Sequence, residues 1–152
     1  MNILVVGGAG YVGGGIVDNL KDNHRVTVYD SLIYEESFRK DVDFVYGDVR
    51  DHEKLKKMLD KNDAVIWLAA VVGDGACAIN PELTFEINAE SVRFLAQNFK
   101  KRIVFLSTCS VYGAQEGLLD ETSTINPLSE YASSKVCLLY TSRAHETELD
   151  LV

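Results

Sequence analysis

Proline is nearly missing from this chain, with two in 152 residues, and no stretch is repetitive or low in complexity. Little therefore interrupts helices or strands, and an apolar content of 47% beside 25% charged residues is that of an ordinary folded domain rather than a disordered segment. A chain of this length forms one domain, burying roughly 68–70% of its unfolded surface. Cysteines are few, odd in number and without a CxxC pair: Cys77, Cys109 and Cys137 signal neither a disulfide framework nor a zinc site. His24, His52 and His145 are equally scattered and read as solvent-exposed, so no metal is expected. Long apolar runs are absent, since ILVV at 3–6 and AVIWLAAVVG at 64–73 fall well short of the ~18 residues of a membrane span. Positive charge is also scarce. Fifteen Lys and Arg against 23 Asp and Glu give a net charge of -8, which argues against nucleic acid or an anionic membrane as partner and for small ligands. The N-terminus opens on a strand-like run without a basic leader, and with the cysteine pattern this points to a reduced, cytoplasmic protein.

What is present is alternation. Short β-branched runs at 2–6, 25–29, 42–46, 63–68 and 102–107 alternate with helix-length amphipathic segments at 12–22, 51–60, 81–99 and 129–148. That is the pattern of an α/β Rossmann-type fold, a doubly wound parallel sheet with helices on both faces. Right-handed crossovers predict strand order 3-2-1-4-5, with ligands at the switch point beside the first strand. ELDLV at 148–152 reads as the opening of a sixth strand. The expectation is thus an NAD-binding Rossmann domain over 1–152, cut from a longer protein whose substrate domain lies elsewhere.

Directly after the first strand, GGAGYVG places Gly7, Gly10 and Gly13 in a GxxGxxG spacing that runs into a helix. Gly7 suits the tight turn, Gly10 lets backbone approach a pyrophosphate, and Gly13 permits close helix–strand packing. The helix N-terminus then offers free N–H groups and a positive dipole end to phosphates. Asp30 closes the second strand, where a carboxylate accepts ribose hydroxyls and repels a 2′-phosphate; no Arg follows it in DSLIY, so NAD is favoured over NADP. Gly14 and Gly15 inside the first helical turn have no evident reason.

Tyr131 and Lys135, in YASSK, lie four apart and share a helix face. Such a pair is weak evidence alone. Its setting strengthens it, because the hydroxyl-rich STCSVYG at 107–113 leaves the carboxyl end of the fifth strand, where ligands of open α/β sheets bind.

With GGAGYVG, Asp30, GDVRD at 47–51, WLAA at 67–70, Asn88 in FEINAESVRFL, STCSVYG and NPLSEYASSK at 126–135, the chain resembles the extended short-chain dehydrogenase/reductases of the NAD-dependent sugar epimerase/dehydratase type over its whole length. The resemblance implies that Gly7, Gly10, Tyr11, Val12 and Gly13 hold the pyrophosphate turn, and that Asp48 and Val49 lie beside the adenine. It puts Leu68, Ala69 and Ala70 along the nicotinamide ribose, and adds Asn88, Tyr131 and Lys135 to the cofactor contacts. It also implies a catalytic triad in which Thr108 orients the sugar oxygen, Tyr131 is the acid/base and Lys135 its partner. A phenol of ordinary pKa near 10 needs nearby positive charge to act as a base, which Lys135 and an oxidised nicotinamide would supply.

Two departures from the family pattern stand out. Trp67 replaces a histidine common before LAA and reads as packing. Cys109 and Ser110 stand where dehydratases carry an acidic pair after the catalytic threonine, which disfavours water elimination. The segment 71–82 is expected as a loop on the substrate side. Cys77, Cys109 and Cys137 are expected as small buried residues, and Glu35, Glu36, Lys54, Lys56 and Lys57 as solvated faces. The expectation is a nucleotide-sugar epimerase using NAD, with a homodimer implied by the resemblance. A nucleotide-sugar dehydrogenase or ketoreductase, or an NAD-binding module without turnover, is the alternative.

Overall fold

The computed structural model describes residues 1–143 and 150–151, with side chains described as far as Val136. The readings made for Cys137 and His145 fall outside those limits. Six parallel strands lie in the order β3-β2-β1-β4-β5-β6, namely β1 (Asn2–Val6), β2 (Arg25–Asp30), β3 (Asp43–Tyr46), β4 (Ala64–Trp67), β5 (Arg102–Phe105) and β6 (Asp150–Leu151). The expected order therefore holds, and residues 150–151 add a sixth strand against Val104 and Phe105.

The central strand β1 explains why its sequence is apolar at almost every position. Leu4 and Val6 join one core layer, with Leu55 and Leu59 of α2 (His52–Leu59) and Val92 and Leu95 of α5 (Ser91–Asn98). Ile3 and Val5 face the other way, into a layer closed by Val17 of α1 (Tyr11–Leu20) together with Val26 and Val28. Successive side chains thus serve opposite faces, each covered by helix. Trp67 is fully buried in the first layer, and its indole N–H donates to the Ala69 carbonyl at 3.2 Å. Packing is what the structure assigns it.

Three expectations need correction. The segment 71–82 is not all loop: α3 (Asp74–Ile79) forms there, entered through Gly73 at φ +89°. Six residues with a glycine inside carry too little periodicity to signal a helix. The helix expected at 81–99 is continuous but not uniform. It begins as α4 (Pro81–Phe85), capped by the Asn80 side chain on the Leu83 N–H at 3.0 Å, and passes through a π-turn at Glu86–Glu90 before α5. Finally, His24 is half-buried, and its Nδ1 has no hydrogen-bond partner among the described residues. The remaining helix, α6 (Glu130–Arg143), packs beside α3, α4, the π-turn and α5.

Candidate active site

The carboxyl ends of β1, β2, β3 and β4 open into one cleft of about 460 Å³, within the range of small-molecule and cofactor sites. Gly7, Gly10, Tyr11, Val12 and Gly13 form its floor at the start of α1, with Asp30 at one side. Asp48 and Val49 after β3, and Leu68, Ala69 and Ala70 after β4, complete the walls. Ile33, Tyr34 and Glu35 also border it. Glu35 is solvent-exposed as expected, yet it faces a site that its charge pattern alone did not mark.

The three glycines have separable reasons. Gly7 has φ +81°, and a β-carbon there would stand 2.4 Å from the Ala69 nitrogen. At Gly13 it would stand 2.6 Å from the Gly8 α-carbon, so helix and turn touch through bare backbone. At Gly10 nothing of the protein approaches closer than the Gly7 carbonyl at 3.6 Å. The protein itself does not need that glycine; the space belongs to whatever enters the cleft. Gly10 caps α1 without a side-chain hydrogen bond, which leaves the first-turn N–H groups available to an anion. Gly14 and Gly15 meet no such constraint, and nothing in the structure requires them.

Asp30 is locked in place. Its carboxylate accepts the Ala9 N–H at 2.9 Å and the Leu32 N–H at 2.8 Å, the latter with Leu32 in a left-handed conformation of φ +53°. At the next strand, the buried Tyr29 ring lies flush on Gly47, where a β-carbon would come within 2.4 Å of the ring, and its hydroxyl donates to the Asp48 carbonyl at 2.8 Å. Burial pushes the Tyr29 phenol up to about 12, with Asp51 and Asp48 adding to the shift. The sequence reading missed Tyr29 and Gly47, although GDVRD carried the signal.

Asn88 is not part of the cleft wall. Buried on the π-turn, its amide accepts the Val71 N–H at 2.8 Å and donates to the Val71 carbonyl at 2.9 Å and the Ser134 hydroxyl at 3.0 Å. Ser134 in turn donates to the Tyr131 carbonyl at 2.7 Å. Asn88 therefore fastens the cleft wall at Val71 to the helix that carries Tyr131, and a direct cofactor contact by its side chain is not what the geometry shows.

Thr108 lies near the Tyr131 phenol, and Lys135 lies over Phe105 at the end of β5; none of the three lines the cleft wall. Burial raises the Tyr131 phenol, and the facing Thr108 hydroxyl opposes that shift, while Cys77, Cys109 and Asp74 reinforce it. The positive charge expected from Lys135 is not among these influences. Lys135 is 4% exposed, its ammonium sits 4.4 Å from the centre of the Phe105 ring, and burial pushes it down to about 8. Among the described residues this ammonium has no hydrogen-bond acceptor, and its charge lies over the aromatic face. Cys77 is buried as expected, but Cys109 is exposed at the start of the 3₁₀ turn Cys109–Tyr112. The turn carries it outward because Thr108 caps it, accepting the Ser110 N–H at 3.3 Å.

The segment between this turn and α6 is pinned at its base. Gly113 has φ +66°, and a β-carbon there would lie 2.1 Å from the Asn126 carbonyl oxygen, while the Asn126 N–H donates to the Val111 carbonyl at 2.9 Å. The two motifs STCSVYG and NPLSEYASSK are thereby joined.

Comparison with known proteins places this geometry among relatives. The sequence profile of the NAD dependent epimerase/dehydratase family matches residues 3–151. The UDP-glucose 4-epimerase of Streptococcus mutans is 33% identical over 91% of this chain and 45% of its own length. The structure of the UDP-glucose 4-epimerase from Brucella ovis, solved with NAD, superposes with a TM-score of 0.88 at 28% identity, over 99% of this chain and 49% of that one. The dTDP-glucose 4,6-dehydratase DesIV from Streptomyces venezuelae, also solved with NAD, superposes at 0.84 with 30% identity, over 99% and 54%. The chain thus spans under half the length of the curated relatives it matches.

Proposed function

The chain belongs to the NAD dependent epimerase/dehydratase family, and on that premise we propose that it is the NAD-binding part of a nucleotide-sugar epimerase. The observation that carries the reading is the placement of the Thr108 hydroxyl near enough to the Tyr131 phenol to oppose its upward shift, together with a cleft whose glycine floor leaves room for a ligand at Gly10. Both an epimerase and a dehydratase superpose on this backbone, at TM-scores of 0.88 and 0.84. Cys109 and Ser110, which supply no acid–base pair for removing water, favour the epimerase.

In this reading the turn Gly7–Gly13 and the uncapped start of α1 hold the pyrophosphate, and Asp30 accepts the ribose hydroxyls. Asp48 and Val49 meet the adenine, and Leu68, Ala69 and Ala70 run along the nicotinamide ribose. When bound, NAD would supply the hydride acceptor and, in its reduced form, the hydride donor. Tyr131 takes and returns the sugar hydroxyl proton at its phenolic oxygen, and Thr108 orients the same sugar oxygen by hydrogen bonding. Lys135, held over Phe105, would donate to the ribose hydroxyls. Because burial raises Tyr131, its phenol stays protonated until added positive charge is close, which confines base catalysis to the loaded site.

The substrate-binding part is proposed to lie outside these residues, since the curated relatives are more than twice as long as the matched region. A homodimer through α4–α5 and α6 follows the family resemblance. Among the described residues no helix is long and apolar enough to cross a membrane, and the free thiols of Cys77 and Cys109 suit a reducing cytoplasm.

The test uses the full-length protein with UDP-hexoses. Tyr131→Phe is expected to lower epimer interconversion by on the order of a hundredfold or more, and unaltered turnover would remove the catalytic assignment. Sustained, stoichiometric change in NADH absorbance would replace the epimerase by a net dehydrogenase or ketoreductase.

A further inference from the structure

The Ser110 hydroxyl has no part in the reaction above, yet it engages the hydroxyl of Thr108. Thr108 Oγ1 donates to Ser110 Oγ at 3.2 Å and accepts the Ser110 N–H at 3.3 Å. Thr108 is the cap of the 3₁₀ turn Cys109–Tyr112, so the backbone geometry that starts this turn also brings the two hydroxyls together. Ser110 is exposed, and among the described residues its hydroxyl meets no other protein group.

A threonine hydroxyl carries one proton and two lone pairs. Here the proton points to Ser110 and one lone pair takes the Ser110 N–H, which leaves one lone pair for the nearby Tyr131 phenol. That arrangement suits a protonated phenol, which can donate to Thr108. It does not suit a phenolate, which needs a donor. To serve one, Thr108 has to turn its proton from Ser110 to Tyr131, and the lone pair left facing Ser110 then requires a donor of its own. A serine hydroxyl supplies it by rotating about one bond, because it both accepts and donates. The two hydroxyls can therefore reverse direction together, with no bond broken and no group displaced.

We propose that Ser110 is a positioning residue for the acid–base step: its hydroxyl accepts the Thr108 proton while Tyr131 is a phenol and donates to Thr108 while Tyr131 is a phenolate, so that Thr108 stays fully bonded in both states. This rests on the acid–base reading of Tyr131. A chain of hydrogen bonds that ends on an anion is strengthened more than one that ends on a neutral group. Ser110 thus favours the phenolate, and removing its hydroxyl raises the pH at which Tyr131 ionises. The other groups around that phenol are untouched by the change: Cys77 and Asp74 on α3, Cys109 on the turn, and Glu130 and Lys135 on α6 itself.

The test uses the full-length protein with tyrosine isotope-labelled at the phenolic carbon, followed by NMR through a pH titration with and without NAD. The Tyr131 signal is identified by its loss in Tyr131→Phe. Ser110→Ala keeps the capping N–H and is expected to move the Tyr131 titration upward by about half to one pH unit. The matching kinetic result is a loss in epimerase kcat of about three- to tenfold at neutral pH that narrows as pH rises, with KM for the sugar nucleotide within about twofold. Ser110→Thr restores a hydroxyl and is expected to titrate as the native protein does. A Tyr131 titration unmoved or lowered in Ser110→Ala would overturn the proposal, as would a shift that Ser110→Thr fails to reverse. Unaltered turnover in Tyr131→Phe would instead bring down the acid–base reading, and this proposal with it.

Discussion

The Asp30 carboxylate accepts the backbone N–H of Ala9 at 2.9 Å, fastening the end of β2 to the glycine turn across 21 residues of chain. The side chain proposed to meet the ribose thus also braces the glycine turn. Asp30→Ala is expected to do two things at once: lower folding stability by about 1–3 kcal/mol, since two backbone donors lose a charged acceptor, and raise the Kd for NADH by at least about tenfold. Urea unfolding and fluorescence titration read the two separately. An unchanged unfolding midpoint would show that the turn holds its shape without the carboxylate.

The glycines of α1 should respond oppositely to the same change. Gly15→Ala places a methyl where nothing lies within 4 Å and removes glycine from a helix interior, so it is expected to stabilise by about 0.5–1 kcal/mol. Gly13→Ala drives a methyl to 2.6 Å from the Gly8 α-carbon and is expected to destabilise by about 1–3 kcal/mol. Equal thermal melts for the two variants would contradict the packing described at Gly13.

Lys135 predicts a pH signature. Its ammonium titrates at about 8 in the folded chain against an ordinary value of 10.5, so between those pH values the unfolded chain binds more protons and this residue makes stability rise with pH. Below about pH 8 the full burial penalty applies, on the order of 3 kcal/mol. Lys135→Met keeps the length without the charge and is expected to be more stable than native at pH 7 by up to about 2–3 kcal/mol. That advantage should vanish by about pH 10. A difference that stays constant across this window in paired unfolding curves would refute it.

Asn88 should act at a distance from the ligand. Asn88→Ala leaves the Val71 N–H without its acceptor and the Val71 carbonyl with only the Cys77 thiol at 3.5 Å, in a half-buried setting, with an expected cost of about 1–3 kcal/mol. Because Asn88 also links to Ser134 on α6, its loss should lower any epimerase turnover of the full-length protein, the activity proposed above, with little change in the KM for NAD. A large KM change with stability intact would instead indicate direct contact.

Much of this was readable in the chain. The strand order and the cleft followed from alternation and from Gly7, Gly10, Gly13 and Asp30, because two-sided burial and bare-backbone approach leave strong sequence marks. What escaped detection depends on contacts between distant segments. The Gly47–Tyr29 contact, the Lys135–Phe105 stacking and the link from Asn88 to Val71 join residues whose separate sequences carry no periodic signal. The helix α3 was hidden by its brevity, and the outward turn of Cys109 by a cap that only the backbone reveals.

The pin between Gly113 and Asn126 makes the span of residues 114–125 an appendage whose two ends are already joined. Its length is then free to vary without disturbing Thr108 or Tyr131, since each doubling of a closed loop costs only about 0.6 kcal/mol. The fold in this way keeps Thr108 and Tyr131 on a fixed base and sets beside them a segment that can be lengthened, shortened or exchanged as a unit.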